Sequence, residues 1–224
     1  MARTQARHMD VQEVLSRLRA LANPSNVEGM ARFGINPSNT LGLSIPILRQ
    51  MAKEIGHDHA LAHALWASSI HEARILAAFV DDPKQVTEAQ MDAWACEFDS
   101  WDVCDQVCCN LFDRTPFAYR KAAEWSGREE EFVKRAGFAL MAALAWHDKK
   151  ATDESLAAFL PYILLGSTDE RNFVKKAVNW ALRQIGKHND NLRALALQTA
   201  RDIQKLDSKA ARWVAADAIR ELER

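Results

Sequence analysis

A tryptophan and an aspartate four residues apart are the side chains in this sequence best suited to act on a cationic ligand. Residues 100–105 read Ser-Trp-Asp-Val-Cys-Asp, the form of a capped helix start, and positions i and i+4 project from one face of a helix. The indole of Trp101 would attract positive charge, and the carboxylate of Asp105 would neutralise it or stabilise a positive centre formed in a reaction. The alternative is structural, because a tryptophan at a helix start commonly packs in the core and an early aspartate answers the helix dipole.

Arg135 is the second candidate. It lies beside an apolar helical stripe that begins with Phe132 and Val133. A guanidinium there could hold a phosphate with two parallel hydrogen bonds. It could instead cap the carbonyls of a neighbouring helix or pair with an acid, and Asp105 is the candidate partner.

A third pattern combines an aromatic ring with cations. Trp180 follows Lys176 and precedes Arg183 at spacings of about one helical turn, which favours a surface that tracks a nucleic-acid backbone. Trp213 occupies the matching position of the next repeat, so Trp180 as packing between repeats is an equal alternative.

Metal, cofactor and nucleophile chemistry is disfavoured. The four cysteines crowd into one short stretch, Cys96, Cys104, Cys108 and Cys109, without the histidine or cysteine spacing that completes a zinc site. We therefore expect buried thiols in a reducing compartment, no metal and no cofactor. The sequence also has no phosphate-cradling glycine-rich loop and no nucleophile elbow.

Charge is balanced overall but uneven along the chain. The formal net charge is -1, which gives no general attraction to polyanions. Residues 88–105 carry six acids and no lysine or arginine, while residues 171–187 carry five basic residues and no acid. The second stretch is the one that could face phosphate.

The elements that must position these residues are helices. Strand patterns are nearly absent, and only 8 of the 224 residues are glycine. Polar caps, several of them beside a proline, punctuate the chain at Asn23, Ser44, Thr115 and Asp169. We predict about twelve helices.

Two internal echoes indicate repeats. Residues 132–136, Phe-Val-Lys-Arg-Ala, recur at 173–177 as Phe-Val-Lys-Lys-Ala, and residues 176–180 resemble 209–213. Offsets of this size in a helical chain fit units of two or three helices that bury their apolar stripes by stacking. We therefore predict an all-α, curved solenoid that forms a single domain over residues 1–224.

No apolar run approaches the roughly 18 residues that a membrane span requires, and the polar start lacks the apolar stretch of a secretory signal. We expect a cytoplasmic protein without a membrane partner.

At these residues the chain resembles the AlkD-like DNA alkylation repair glycosylases, a family built from HEAT-like repeats. The resemblance covers nearly the whole chain in short segments. The most specific are Trp-Asp-x-x-Asp at 101–105 and Lys-Ala-x-x-Trp-x-x-Arg at 176–183, and the others lie at residues 32–35, 45–49, 65–66, 72–74, 132–136 and 172–175.

The resemblance implies a monofunctional glycosylase that excises N3- and N7-alkylated purines from double-stranded DNA without flipping the base. Trp101, Trp180 and Asp105 would face the deoxyribose of the lesion, and Arg135 matches the family's active-site arginine. We expect backbone contacts from Lys134, Lys175, Lys176 and Arg183, and a monomer.

Two other functions fit the same sequence. One is a non-catalytic protein that binds distorted or branched DNA and keeps the aromatic and basic face without excision. The other is a protein-interaction scaffold, since a fold by itself does not fix a function. Base release from alkylated DNA separates the first hypothesis from the second, and DNA binding at low salt separates both from the third.

Overall fold

A computed structural model describes residues 9–224, so residues 1–8 of the polar start lie outside the described part. Within it the chain forms fourteen α-helices, one 3-10 helix and no strand, as the sparse glycine and strand patterns predicted. The helices are α1 Val11–Ala20, α2 Pro24–Arg32, α3 Ile45–Ile55, α4 His59–Ala67, α5 His71–Val80, α6 Glu88–Cys96, α7 Trp101–Asn110, the 3-10 helix Phe112–Arg114, α8 Ala118–Ser126, α9 Glu131–His147, α10 Asp153–Ala157, α11 Leu160–Gly166, α12 Asn172–Gly186, α13 Asp190–Gln204 and α14 Lys209–Leu222.

The helices stack in two rows. One row runs α3, α5, α7, α9, α12 and α14, each packed on the next, and we call it the inner row. On its other side α4 packs on α5, α8 on α9, and α13 on both α12 and α14. One continuous hydrophobic cluster runs from Met9 to Leu222. This is the arrangement of a helical solenoid, in which each pair buries its apolar stripe against its neighbours.

The repeats predicted from the sequence are structural neighbours. Residues 132–136 and 173–177 open α9 and α12, the two helices with the most extensive mutual contact. The rings of Phe132 and Phe173 lie 5.7 Å apart between centroids. The echo at 209–213 opens α14, which packs on α12. The first pair of segments therefore occupies equal positions in successive helices of the inner row. The second pair does not, since residues 176–180 are the fifth to ninth of α12 and residues 209–213 are the first to fifth of α14.

Two of the four predicted helix starts are correct. Asn23 caps α2 by accepting a hydrogen bond from the Asn26 amide, and Ser44 precedes α3. The prediction at Thr115 is wrong, since its hydroxyl donates to the Phe112 carbonyl and α8 begins only at Ala118. The prediction at Asp169 is also wrong, because its carboxylate accepts from the backbone and side chain of Arg171 in a turn before α12.

Along residues 9–224 no helix is both long and apolar enough to cross a membrane.

Candidate functional site

Three helices of the inner row bring the candidate residues together at their amino-terminal ends. Trp101 is the first residue of α7. Asp105, Arg135 and Lys176 are each the fifth residue of their helix, in α7, α9 and α12 respectively. Because these helices stack side by side, equal positions along them fall on one edge of the stack.

The carboxylate of Asp105 is held by the guanidinium of Arg135. Nε donates to Oδ1 at 2.9 Å and Nη2 donates to Oδ2 at 2.7 Å. The remaining nitrogen, Nη1, donates to the Phe173 carbonyl at 2.5 Å. Arg135 therefore links α7, α9 and α12, and the pairing with Asp105 considered from the sequence is present.

The ion pair is buried but not sealed, since 16% of the Asp105 side chain and 7% of the Arg135 side chain are exposed. Burial raises the pKa of the Asp105 carboxyl, and the charge and hydrogen bonds of Arg135 oppose that rise. Burial alone would lower the pKa of the Arg135 guanidinium, but Asp105 raises it instead. Arg135 stays protonated throughout the physiological pH range.

Trp101 is fixed by the same constellation. Its indole Nε1 donates to the Phe33 carbonyl at 3.1 Å, and the guanidinium carbon of Arg135 lies 5.8 Å from the indole centroid. That distance is within the range of a cation–π contact. The half-buried ring therefore has a defined orientation at the rim of the site.

A cavity of about 200 Å³ opens beside this ring. It is lined by Phe33, Trp101, Arg135, Phe173 and Lys176. Phe33 is 75% exposed, and the cavity combines three aromatic rings with two cations. This mixture suits the backbone and bases of a nucleic acid, since rings stack on bases and cations neutralise phosphate.

The chain beyond Phe33 depends on a glycine. Gly34 has a φ of 77°, and a Cβ there would lie 2.5 Å from the Phe173 ring. Only glycine combines that backbone conformation with so close a ring. Phe33 and Phe173 were not among the predicted site residues, although both lie in segments that carried the resemblance.

Glu72 holds the carboxyl-terminal part of the connection between α2 and α3, the segment that begins with Phe33. It is fully buried in α5, and its carboxylate accepts from the backbone amides of Leu41, Gly42 and Leu43 at 2.8, 2.6 and 3.2 Å. One side chain thereby satisfies three donors of a segment without regular structure. The connection that carries Phe33 is thus tied to the inner row at its far end.

A larger cleft of about 600 Å³ lies on the other side of Trp101. Its wall includes His71 and Asp102, joined by an Nε2–Oδ2 contact of 2.8 Å. Burial lowers the pKa of the His71 ring, but the hydrogen bond and charge of Asp102 outweigh it and raise that pKa overall. Ser100 donates its hydroxyl to the second oxygen of Asp102 at 2.7 Å. Sequence reasoning gave His71 no role, because its partner is 31 residues away.

Trp180 stands apart from this cavity. It lies one turn beyond Lys176 on α12, half-buried against the core, and outside the lining of the 200 Å³ cavity. The structure therefore brings together three of the four predicted catalytic residues and places the fourth farther along the same helix.

The four predicted backbone contacts differ in how free their charge is. Lys176 is exposed and lines the cavity, and Lys175 lies 5.5 Å from the Trp213 ring centroid. Lys134 pairs with Asp169 at 3.0 Å. Arg183 pairs with Asp217 at 3.2 Å and with Glu221 at 2.5 Å. The last two cations are already neutralised within the protein.

The cysteine cluster has a packing role. Cys104 and Cys108 are buried, and their thiols donate to the carbonyls of Phe132 and Ala136 at 3.6 and 3.7 Å. Burial raises the pKa of the Cys108 and Cys109 thiols well above the ordinary value. Cys96 differs from the prediction, because it is exposed. Within residues 9–224 no three His, Cys, Asp or Glu side chains form a group that could hold a metal ion.

Comparison with known proteins gives a family and a fold. A family model described as DNA alkylation repair enzyme matches residues 14–222. A solved structure with 21% identity aligns at a TM-score of 0.79 over 96% of both chains, and it belongs to a family described as related to the HEAT-like repeat DNA glycosylases with affinity for branched DNA structures. An engineered protein with 14% identity aligns over 97% of this chain and 95% of its own at a TM-score of 0.46. A comparison with curated proteins gave no significant match.

Proposed function

From the premise that this chain belongs to the DNA alkylation repair enzyme family, we propose that it is a DNA N-glycosylase for cationic N3- and N7-alkylated purines. The observation that carries the proposal is the carboxylate of Asp105, which Arg135 holds in one orientation one turn from Trp101. Its two neighbours, Arg135 and Trp101, line an open cavity with an aromatic and cationic lining.

The proposed reaction needs few catalytic groups, because the leaving group is already activated. An alkylated purine already carries positive charge, so the bond from its nitrogen to C1′ breaks with both electrons leaving on the base. The sugar becomes an oxocarbenium-like cation, which a fixed carboxylate stabilises more strongly than it stabilises the neutral ground-state sugar. Water then adds to C1′ and releases a proton, and the products are a free purine and an abasic site.

The ion pair with Arg135 is compatible with this role. A carboxylate has about four acceptor positions, and Arg135 occupies one on each oxygen of Asp105. The remaining positions can face a cationic sugar or orient the attacking water. Fixing the side chain before the reaction avoids the cost of ordering it in the transition state.

DNA would be held by the surrounding rings and cations. Phe33, Trp101 and Phe173 offer apolar faces, and Lys176 offers an unpaired charge for a phosphate. Trp180 would contact the DNA one turn farther along α12. Lys134 and Arg183 would contribute less to DNA affinity, because their charges are engaged by acids.

The test is base release from methylated duplex DNA. Asp105→Asn preserves the shape of the side chain and removes its charge, and we expect the single-turnover rate to fall about 100-fold or more. The matched control is Asp207→Asn, which changes a fully exposed acid far along the chain and should leave the rate unchanged. Release of 7-methylguanine by Asp105→Asn at the wild-type rate would exclude this mechanism.

A second candidate is a protein that binds branched DNA without excising a base. Two observations favour it: both oxygens of Asp105 are engaged by Arg135, and the 200 Å³ cavity is lined by Arg135 and not by Asp105. The structural relative is described as having affinity for branched DNA. This candidate predicts tight, salt-sensitive binding to a four-way junction together with no base release from methylated duplex, and detectable release excludes it.

A further inference from the structure

A second cationic surface lies at the opposite ends of the inner-row helices. Three clefts of about 370, 590 and 390 Å³ adjoin there. The first shares Arg114 with the second, and the second shares Trp146 and Lys149 with the third. We call this surface the carboxyl-end strip, and its members are Arg49, Lys53, Arg114, Trp146, Lys149 and Lys187.

The strip is separate from the site described above. Arg135 and Trp146 belong to the same helix, α9, and are eleven residues apart, which corresponds to roughly 16 Å along the axis. The site lies at the amino-terminal ends of α7, α9 and α12, whereas the strip follows the carboxyl-terminal ends of α3, α7, α9 and α12.

The strip is positively charged even though the whole chain is not. Within the described residues, Lys53, Arg114 and Lys149 form no ion pair, and Lys187 pairs with Glu221. Arg49 donates to the Asn110 side-chain oxygen at 3.1 Å.

Two acids, Asp113 and Asp148, also line the middle cleft. Asp113 pairs with His147 at 2.5 Å, and Asp148 accepts from the Tyr119 hydroxyl at 2.9 Å. A tyrosine hydroxyl is neutral, so Asp148 keeps its charge. The five cations of the strip nevertheless outnumber the three acids Asp113, Asp148 and Glu221.

Helix dipoles explain part of this pattern, because cations are favourable at carboxyl-terminal helix ends. They do not explain Trp146, whose side chain is 56% exposed at the centre of the strip. Its ring stacks on His147 with centroids 4.7 Å apart. An exposed indole flanked by unpaired cations is the arrangement that binds an unpaired base together with its backbone.

We propose that the carboxyl-end strip binds a DNA strand whose bases are locally unpaired, with phosphates on Arg114 and Lys149 and one base stacked on Trp146. The bases of an intact duplex present no free face along its length, whereas a gap or a branch point exposes one. The inference rests on the proposed DNA-binding function and adds to it a second contact surface, centred on Trp146, for the unpaired strand of a gap or a branch.

The experiment compares two labelled DNAs by fluorescence anisotropy with the full chain. One is an intact duplex, and the other is the same duplex with a gap of a few nucleotides. We expect Trp146→Ala to weaken binding to the gapped DNA about tenfold and binding to the intact duplex less than about twofold. Trp213→Ala removes another exposed indole, 41% exposed on α14, and should leave the preference for gapped DNA intact.

Two further variants separate stacking from charge. Trp146→Phe keeps an aromatic face and should retain most of the preference for gapped DNA. Arg114→Ala combined with Lys149→Ala should reduce the slope of log affinity against log salt by about 1.4 on gapped DNA, since each phosphate contact to a single strand contributes about 0.7. Thermal melting should show the Trp146 variants as stable as wild type, because the side chain is exposed.

Each outcome decides one question. If Trp146→Ala binds gapped DNA as wild type does, the inference is overturned and the proposed glycosylase function stands. If wild-type protein binds neither DNA at low salt, the proposed function itself fails. If Asp105→Asn loses base release but keeps the preference for gapped DNA, the strip acts independently of the site.

Discussion

At the scale of single residues, Arg135 connects more parts of the site than any pattern in the sequence indicates. It forms an ion pair with the buried carboxylate of Asp105, lies within cation–π distance of Trp101, and donates a hydrogen bond to a carbonyl of the next repeat. Removing one member of a buried ion pair is costly, because the other charge is left without a partner in a place that water reaches poorly. A residue proposed to orient the catalytic carboxylate is therefore also structural.

Arg135→Ala should lower the free energy of unfolding by about 3–5 kcal/mol, measured by urea denaturation. Arg212→Ala is the control, since its ion pair with Asp207 is exposed and should be worth less than about 1 kcal/mol. The double variant, Arg135→Ala with Asp105→Asn, no longer contains the uncompensated charge. Its loss of unfolding free energy should therefore be smaller than the sum of the losses of the two single variants. A loss below about 1 kcal/mol for Arg135→Ala would show that water, not the guanidinium, satisfies Asp105.

At the scale of helices, close approach decides how the rows fit. Gly137 lies in α9 against α8, and a Cβ at this position would lie 2.4 Å from the Ser126 nitrogen and 2.9 Å from the Ala122 carbonyl oxygen. Both are backbone atoms, which cannot move aside as the tip of a flexible side chain can. The glycine therefore fixes the separation of α8 and α9, and α9 in turn carries Arg135.

Gly137→Ala should lower the free energy of unfolding by about 1–3 kcal/mol, because α8 must shift to admit the methyl group. Gly29→Ala is the matched control, since Gly29 lies within α2 with no atom near its missing Cβ. The control should stabilise the protein by up to about 1 kcal/mol through helix propensity. Denaturant midpoints measure both, and equal effects at the two positions would contradict the packing argument.

Helix ends show the limit of local patterns. Thr115 has the sequence of a cap, but its hydroxyl turns back to the Phe112 carbonyl and closes the 3-10 helix. Residues 87–90, Thr-Glu-Ala-Gln, have the form of a capping box, and here the Thr87 hydroxyl does accept from the Gln90 amide. The Gln90 side chain nevertheless donates to Asp81 from the preceding connection. A cap motif therefore predicts a turn more reliably than it predicts the partner of each side chain.

At the scale of the whole molecule, a net charge of -1 conceals two local surfaces that carry unpaired cations. The affinity of these surfaces for phosphate depends on which cations are free of ion pairs within the protein, not on how many basic residues the sequence holds. Lys176 is exposed at the site, whereas Arg183, one of the five basic residues of the stretch 171–187, is held by Asp217 and Glu221. Only free cations release counterions when they meet a phosphate.

Lys176→Ala should therefore reduce the slope of log affinity against log salt by about one for duplex DNA. Arg183→Ala should leave that slope nearly unchanged, because its charge is already balanced within the protein. Anisotropy titrations between about 50 and 200 mM salt measure both slopes. Equal reductions would show that DNA displaces Asp217 and Glu221 from Arg183.

The sequence by itself determined the fold class, the family and the stacking of repeats. Helical periodicity, sparse glycine and the echo of residues 132–136 at 173–177 are local properties, and they persist in any packing that buries the apolar stripes. The candidates Trp101, Asp105 and Arg135 also followed from residue type and spacing. The residue types alone indicate what chemistry these side chains can perform. Asp105 and Arg135 lie at the same edge of the stack because they occupy equal positions in successive helices.

Only the tertiary structure decided which partners these residues have. That Asp105 is bound on both oxygens, that Phe33 and Phe173 line the cavity, and that Trp180 stands outside it depend on contacts across 30 to 68 residues. The neutralisation of Arg183 and the freedom of the cations around Trp146 depend on neighbours in the same way. Long-range pairing leaves no local pattern, because burial and partner choice are set by how the helices stack.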